Sequence, residues 1–474
     1  MEPVDATVVG SGPNGLAAAI VLAGAGYSVR VIEMRETVGG GARSCELTLP
    51  GFCHDVCSAV HPLALSSPLF RTLPLAEHGL SWVHSPTPLA HPLDGDDAVI
   101  LERSIEATAA GLGPDGDAYR RLIEPFATRW TELAEQILGP PRPPRHPLLL
   151  ARFALKALQP ARLLAERSFR SARARALFAG CAAHSMASLR RPVTAAFGLF
   201  LAAGGHAVGW PVARGGSQAI VDALASYLRT LGGEILVGVP VTCLEELGRS
   251  RVVLLDVSPK VMLRIAGARL SASYRRAVAR FRYGPGVFKV DYALAAPVPW
   301  SAPECSRAAT VHVGGTLAEI GASEEAPSRG DHPDRPFVLV AQPSRFDPTR
   351  TPEGKHTLWA YCHAPPGSSE DMSRRIMAQI SRFAPGFADT ILERHVLSPE
   401  GFERYNPNYV GGDIGAGAHD GLQALLRPTP RLIPYATSAE GLYLCSASTP
   451  PGAGVHGMCG YFAARAAIRR LERR

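Results

Sequence analysis

The sequence predicts an α/β protein in which a parallel-sheet domain carries a second, α+β domain. Three observations predict it. The opening residues set two β-rich runs around a glycine turn and an alanine-rich helical run. A later run, 251–257 (RVVLLDV), is apolar almost throughout, as a parallel strand covered on both faces must be. Residues 288–294 (FKVDYAL) alternate apolar and polar, the period of a half-buried strand. With 474 residues, 46% hydrophobic and 19% charged, the chain is long enough for two cores.

The opening unit is the most informative stretch. Residues 6–9 enter Gly10-Ser11-Gly12-Pro13-Asn14-Gly15, and a helix-like run, 16–25, comes at once. Gly26 ends that run, 28–32 (SVRVI) reads as a second strand, and Glu33 closes it. Strand, glycine turn, helix, strand and acid in this order bind a dinucleotide. Gly10 permits the tight turn, Gly12 lets the backbone approach a pyrophosphate, and Gly15 lets the helix pack close to the sheet. The helix N-terminus offers unpaired N–H groups and partial positive charge to the phosphates. Glu33 stands about twenty residues beyond the turn, where an acid hydrogen-bonds a ribose diol.

The residues after Glu33 favour a flavin. Val38-Gly39-Gly40-Gly41-Ala42-Arg43-Ser44 is similar to the second glycine motif of flavoproteins in the amine oxidase and carotenoid desaturase superfamily. There a glycine pair and an arginine meet the FAD pyrophosphate again. Thr449, Pro451, Gly452 and Gly454 match the turn that cradles the isoalloxazine ring in carotenoid desaturases. Residues 211–217, a helix-like run to Leu231, Gly232-Gly233-Glu234 and a strand to Val241 resemble the segment that covers the FAD adenine. One departure stands out: Ser446-Ala447-Ser448 occupies the place where many flavoproteins carry a Gly-Asp pair on the ribityl chain. Blocks 50–68, 406–417 and 444–467 extend the likeness over nearly the whole chain.

The chain therefore resembles phytoene-desaturase-like FAD-dependent oxidoreductases, in the branch of pyridine nucleotide-disulfide oxidoreductase domain-containing protein 2. The resemblance implies a Rossmann-like FAD-binding domain, discontinuous in sequence, with an α+β substrate domain of the amine oxidase/carotenoid desaturase kind. The FAD domain would comprise 1–71, 205–275 and 425–474, and the substrate domain 72–204 and 276–424. It implies FAD contacts at Gly10, Gly12, Pro13, Asn14, Gly15, Glu33, Met34, Gly40, Gly41, Ala42, Arg43, Val241, Ser446, Ala447, Gly454 and Val455. The segment 50–68 would pass beneath the flavin, which makes His54 and His61 substrate-side candidates; capping or packing is the simpler account of both. Asn408, Tyr409 and Asp413 are candidate wall residues, although turn chemistry also explains them. His456 and Tyr461 are the candidate proton handlers, with a helix-start role as the alternative for His456.

A bound flavin implies hydride or two-electron transfer at N5. No second glycine turn comes after a strand, so electrons would leave to oxygen or a quinone rather than to a nicotinamide domain. The first functional expectation is desaturation, saturation or isomerisation of a C–C bond in a hydrophobic, isoprenoid- or polyene-like substrate. The second is a flavin amine oxidase, with Lys289 holding a water near N5; against it, Lys289 alternates outward on an edge-like strand and no aromatic cage is visible. The third is a flavin-bound membrane or partner-binding protein with little turnover.

Composition narrows the setting. The nine cysteines are scattered, without a Cys-x-x-Cys pair or zinc-like spacing, so neither a redox disulfide nor a metal site is expected. Net charge is +7, and residues 142–175 alone hold nine basic side chains against Glu166. The basic amphipathic region 140–178 suits an anionic membrane surface, or an ordinary solvated helix face. No nucleic-acid-binding motif accompanies the charge. The first strand begins by Ala6, which predicts a cytoplasmic address without a signal peptide, peripheral on the inner face of the membrane if the basic region docks. The charge-free run 192–213 reads as buried helix plus turn. A homodimer is compatible with the sequence. Residues 104–138 are expected to be helical, with Asp115 or Asp117 as cap.

Overall fold

The computed structural model describes residues 2–419 and 421–472. Five parallel strands form the first sheet, in the order Leu442–Leu444, Ser250–Leu255, Val4–Val9, Val29–Ile32 and Glu234–Leu236. Both faces are covered, which explains the apolar runs. Ala6, Val8, Val29, Val31, Val252 and Leu254 face a layer made by helices Pro13–Gly24, Gln218–Thr230 and Met458–Leu471. Val9, Ile32, Leu255 and Leu444 face helix Pro259–Ala266 on the other side. The domain is assembled from distant parts of the chain. Residues 4–32 supply the centre, and Leu442–Leu444 forms the edge beside Ser250–Leu255. Its closest join lies at Gly460, where a Cβ would run into the carbonyl of Asn14, so two helices meet backbone to backbone.

The second sheet has seven strands, ordered Ile391–Leu397, Gly286–Leu294, His356–Ala364, Val338–Ala341, Ala308–Val313, Thr87–Leu93 and Asp97–Leu101. All neighbours are antiparallel except Ala308–Val313 with Thr87–Leu93. On one face Val290, Tyr292, Val340, Leu358 and Ala360 pack with Ile376, Ile380 and Phe383 of helix Ser373–Phe383. The other face looks toward the first domain. Lys289 corrects an expectation here. Its strand is the second of the sheet, hydrogen-bonded on both sides, and all nine of its residues are buried. The polar residues in FKVDYAL mark a buried Lys289–Asp291 ion pair, not a solvated face.

Helices fill the space beside this sheet. The expected helical stretch 104–138 breaks into Ile105–Gly111, Gly116–Ala127 and Trp130–Ile137. Gly111-Leu112-Gly113-Pro114 interrupts it, and Pro125 removes a backbone donor near the second break. Ser104, rather than either acid, caps the first helix, accepting from the Ala107 N–H at 3.1 Å. Asp115 instead accepts the N–H groups of Arg170 and Ser171, at 2.9 and 2.6 Å. The charge-free run forms helix Thr194–Ala207, largely buried. Among the described residues no helix is long and apolar enough to cross a membrane.

Arg350 stitches the two domains. It is fully buried, with Nη2 3.1 Å from Asp55 and Nε 3.1 Å from Asp347. Asp55 also accepts from Ser44 Oγ at 2.6 Å and from the Ser217 N–H at 2.7 Å; Asp347 accepts from the Gly215 N–H at 2.7 Å. One cation thus ties the second glycine motif, the 211–217 segment and the second domain together.

Candidate cofactor and substrate cavity

A cavity of about 760 Å³ runs between the carboxyl ends of the parallel strands and the inner face of the second sheet. That volume suits a ligand of cofactor size. Its first part is glycine-walled. Gly10 turns the chain at φ +99°, and Gly40, at φ +55°, brings the second glycine motif against the first: a Cβ on Gly40 would lie 3.0 Å from the Gly12 Cα. The two turns leave a backbone-lined groove at the N-terminus of helix Pro13–Gly24, the arrangement that receives a pyrophosphate. The Asn14 Oδ1, buried and without a partner, borders it.

Most expected cofactor contacts line this one cavity: Gly10, Gly12, Pro13, Asn14, Glu33, Met34, Gly40, Gly41, Arg43, Val241, Ser446, Ala447, Gly454 and Val455. Gly15 and Ala42 are not on its wall. A Cβ on Gly15 would run into the Gly10 carbonyl, so this glycine serves the turn itself. Glu33 accepts from Ser11 N–H at 3.0 Å and Ser11 Oγ at 2.6 Å, and its other oxygen pairs with Arg43 Nη2 at 3.0 Å. The guanidinium also donates to the Thr37 carbonyl at 2.8 Å, which holds Arg43 at the groove.

The far part of the cavity is apolar. Met186, Phe197, Leu201, Trp210, Leu339, Ala341, Trp359, Tyr361 and Ile414 form its walls. Trp359 and Tyr361, two apart on one strand, meet edge to face with centroids 4.8 Å apart, an aromatic pair that the sequence did not reveal. The only acids on the whole wall, among the described residues, are Glu33 and Asp256, both at the glycine end. Lys289 is not on the wall; its ammonium is bonded to Asp291 and lies 5.9 Å from the Trp359 ring centroid.

The remaining candidates divide. His61 lines the cavity with Nε2 2.8 Å from Ser217 Oγ, and burial pushes its imidazole down to about 4. Asn408 lines it while its Oδ1 accepts from the Ser258 N–H at 2.7 Å. Tyr409 is a buried wall residue whose hydroxyl stands where a Gly41 side chain would be. His54 lies away from the wall, with Nε2 2.8 Å from Thr48 Oγ1 and Nδ1 3.6 Å from Asp291. Asp413 is buried in turn chemistry, accepting from the N–H groups of Gly284, Gly415 and Gly417 at 2.7, 2.7 and 2.8 Å. His456 and Tyr461 are not brought to the cavity. His456 Nδ1 accepts from the Met458 N–H at 3.0 Å at the start of the helix, and Tyr461 OH accepts from Arg465 at 3.0 Å on its outer side.

Sequence reasoning missed three buried groups. Arg427 donates to the carbonyls of Ala447, Gly417 and Ala418 at 3.1–3.2 Å, bracing the turn after Leu442–Leu444. Asp256 comes directly after strand Ser250–Leu255 of the parallel sheet and reaches the glycine turn. His184 lines the apolar part, with Nε2 2.9 Å from Nε2 of His312. Behind them His91 Nε2 donates to the Gly315 carbonyl at 2.7 Å. Burial pushes His184 down to about 3 and His91 to about 4, so both are neutral.

Comparison with known proteins agrees with this geometry. Residues 8–73 match the family model of an NAD(P)-binding Rossmann-like domain. The chain is 28% identical to pyridine nucleotide-disulfide oxidoreductase domain-containing protein 2 of Mus musculus, over 99% of this chain and 94% of the relative. It is also 28% identical to hydroxyneurosporene desaturase of Cereibacter sphaeroides, over 98% of each. Among solved structures, a putrescine oxidase with a redesigned cofactor site superposes with a TM-score of 0.64 at 17% identity, covering 100% of this chain and 99% of that one. The resemblance to phytoene-desaturase-like oxidoreductases thus runs the length of the chain, and the fold is shared with amine oxidases.

Proposed function

We propose that this phytoene-desaturase-like chain is an FAD-dependent oxidoreductase that changes the saturation of a C–C bond in a hydrophobic, isoprenoid-like substrate. One observation carries the reading: a single cavity joins a double glycine cradle to a wall of Phe197, Leu201, Trp210, Leu339 and Trp359. The residues present fit FAD. The two glycine turns would hold its pyrophosphate, Glu33 a ribose, Val241 the adenine through backbone, and Ser446, Ala447, Gly454 and Val455 the ring end. Bound FAD supplies two-electron chemistry.

The protein's own part is orientation and proton handling. The apolar wall holds an unactivated carbon in place and excludes water. Desaturation also releases a proton; of the imidazoles on the wall, His61, His184 and His419, we take His184 as its acceptor because His312 is bonded to it and can share the charge. The proton task therefore moves from His456 and Tyr461 to His184. An amine oxidase reading draws on the shared fold and on the Trp359–Tyr361 pair. It is disfavoured because, among the described residues, the wall of the apolar end carries no carboxylate to anchor an ammonium, and Lys289 is spent on Asp291.

Mass spectrometry of the organic and aqueous extracts of the purified protein tests this. FAD together with an isoprenoid or other apolar lipid is the expected result. A folded protein without FAD overturns the reading, and peroxide release on adding amines would transfer it to the amine oxidase class.

The protein's surface supports a membrane partner. Of the twelve large apolar side chains exposed among the described residues, eight lie in two segments: Leu148, Leu155, Leu158, and Leu422, Leu425, Leu426, Leu432, Ile433. The segments adjoin. Phe197, in the helix whose start bonds to Leu158 O, meets the His419 ring at 5.3 Å, and Phe462 bridges Arg142 to Tyr435. Arg145, Arg152, Lys156 and Arg431 are exposed around them, the pattern of a surface that lies on anionic lipid. Phe197 and His419 also line the cavity, so lipid would sit beside its apolar end.

A further inference from the structure

Asp256 occupies an unusual place for an acid. It is the first residue beyond strand Ser250–Leu255, and its N–H donates to the Val9 carbonyl at 2.8 Å, which continues the parallel ladder. That bond points the side chain into the glycine turn. Oδ2 accepts from the Gly15 N–H at 2.9 Å. The same oxygen lies 2.8 Å from where a Cβ on Gly12 would be, and the Asp256 carbonyl oxygen lies 2.8 Å from that of Gly10. The glycines therefore make room for this residue as well as for a ligand. Asp256 lines the cavity, and its remaining exposure is to that groove.

A carboxylate here would face the phosphates that the groove is shaped to hold. Among the described residues no basic side chain is ion-paired with it; Arg264 lines the same cavity without pairing to it. Glu33 adds negative charge, and Arg43 is paired with Glu33. Cys445 and Cys459, from the last strand and last helix, face it as thiols that burial keeps protonated. Burial pushes Asp256 up to about 7; the Gly15 N–H opposes this and Glu33 adds to it. Two phosphate charges would raise it further.

We infer that Asp256 binds the dinucleotide as a neutral acid, its O–H donating to a pyrophosphate oxygen while its other oxygen accepts from Gly15. This rests on the flavin reading and deepens it. Binding then takes up one proton wherever the free protein holds Asp256 ionised, so affinity falls as pH rises past its titration, up to tenfold per unit. An asparagine reproduces both contacts without a proton.

The test measures the FAD dissociation constant of flavin-stripped protein by fluorescence between pH 6 and 9, for wild type and Asp256→Asn. Calorimetry of the wild type at pH 8.5 in two buffers of different ionisation enthalpy counts protons. The expected result is a wild-type constant that rises up to tenfold per pH unit with uptake approaching one proton, and an Asp256→Asn variant that binds with little pH dependence. A pH-independent wild type without proton uptake, or a folded Asp256→Asn that loses FAD, overturns the inference and leaves the flavin reading standing. Wild type that takes up no FAD at any pH overturns the flavin reading, and the inference with it.

Discussion

His184 and His312 are joined Nε2 to Nε2 at 2.9 Å, a bond in which one imidazole must donate and the other accept. Two charged rings cannot make it, since both nitrogens would then be donors. The pair can therefore hold at most one added proton, shared across the bond and opposed by the burial that keeps both rings low, and its cavity-side member is His184. Replacing His184 with Gln should slow anaerobic flavin bleaching by the extracted substrate about 10²-fold or more. Bound flavin and thermal stability should stay near wild type. Unchanged bleaching would exclude His184 from proton handling.

Burial pushes His54, His61, His91, His206 and His456 down to about 4, and His184 to about 3. In the unfolded chain these rings titrate near 6.5. Between about pH 4 and 6.5 the unfolded state therefore binds more protons, so stability is full above 6.5 and falls as the pH drops through this window. Each ring steepens the slope by up to about 1.4 kcal/mol per pH unit. Urea midpoints should drop sharply from pH 7 to 5, and substituting a single buried histidine by Gln, His91 for example, should flatten that slope.

Arg350→Gln leaves Asp55 and Asp347 buried without their cation. Burial alone would raise the Asp55 carboxyl; Arg350 and the Ser44 and Ser217 donors hold it below its usual range. Breaking such a pair costs about 3–5 kcal/mol. Denaturant unfolding should show a loss of this size, with FAD retention weakened because the second glycine motif is anchored through Ser44.

Leu155→Glu with Leu432→Glu should leave folding and FAD content intact, since both side chains are largely exposed, at 73% and 105%. The same pair should abolish flotation with anionic liposomes at low salt. Wild type that does not float ends the membrane proposal.

The glycine-walled half of the cavity was legible because its constraints are local. A turn at φ +99° and a close approach of two backbones demand glycine wherever they occur, and the chain spells both within 44 residues. The apolar half was not legible. Its wall gathers His184, Trp210, Leu339 and Trp359 from four separate elements, and no spacing records their meeting. His456 misled through proximity: it lies two residues beyond Gly454, yet its ring is turned to cap its own helix. Lys289 misled through period, because a buried ion pair alternates just as a wet face does.

The contact of Gly460 with Asn14 sets an order of events during synthesis. The first glycine turn leaves the ribosome early, but its edge strand and the helix that presses on its own are translated more than four hundred residues later. Until then Gly10–Gly15 sits in a sheet lacking a side, with apolar helix surface bare. A ligand gripped by both glycine turns and by residues 446–455 would therefore find its complete site only after the last helix is made, and the nascent chain must keep its glycine turn from aggregating while it waits.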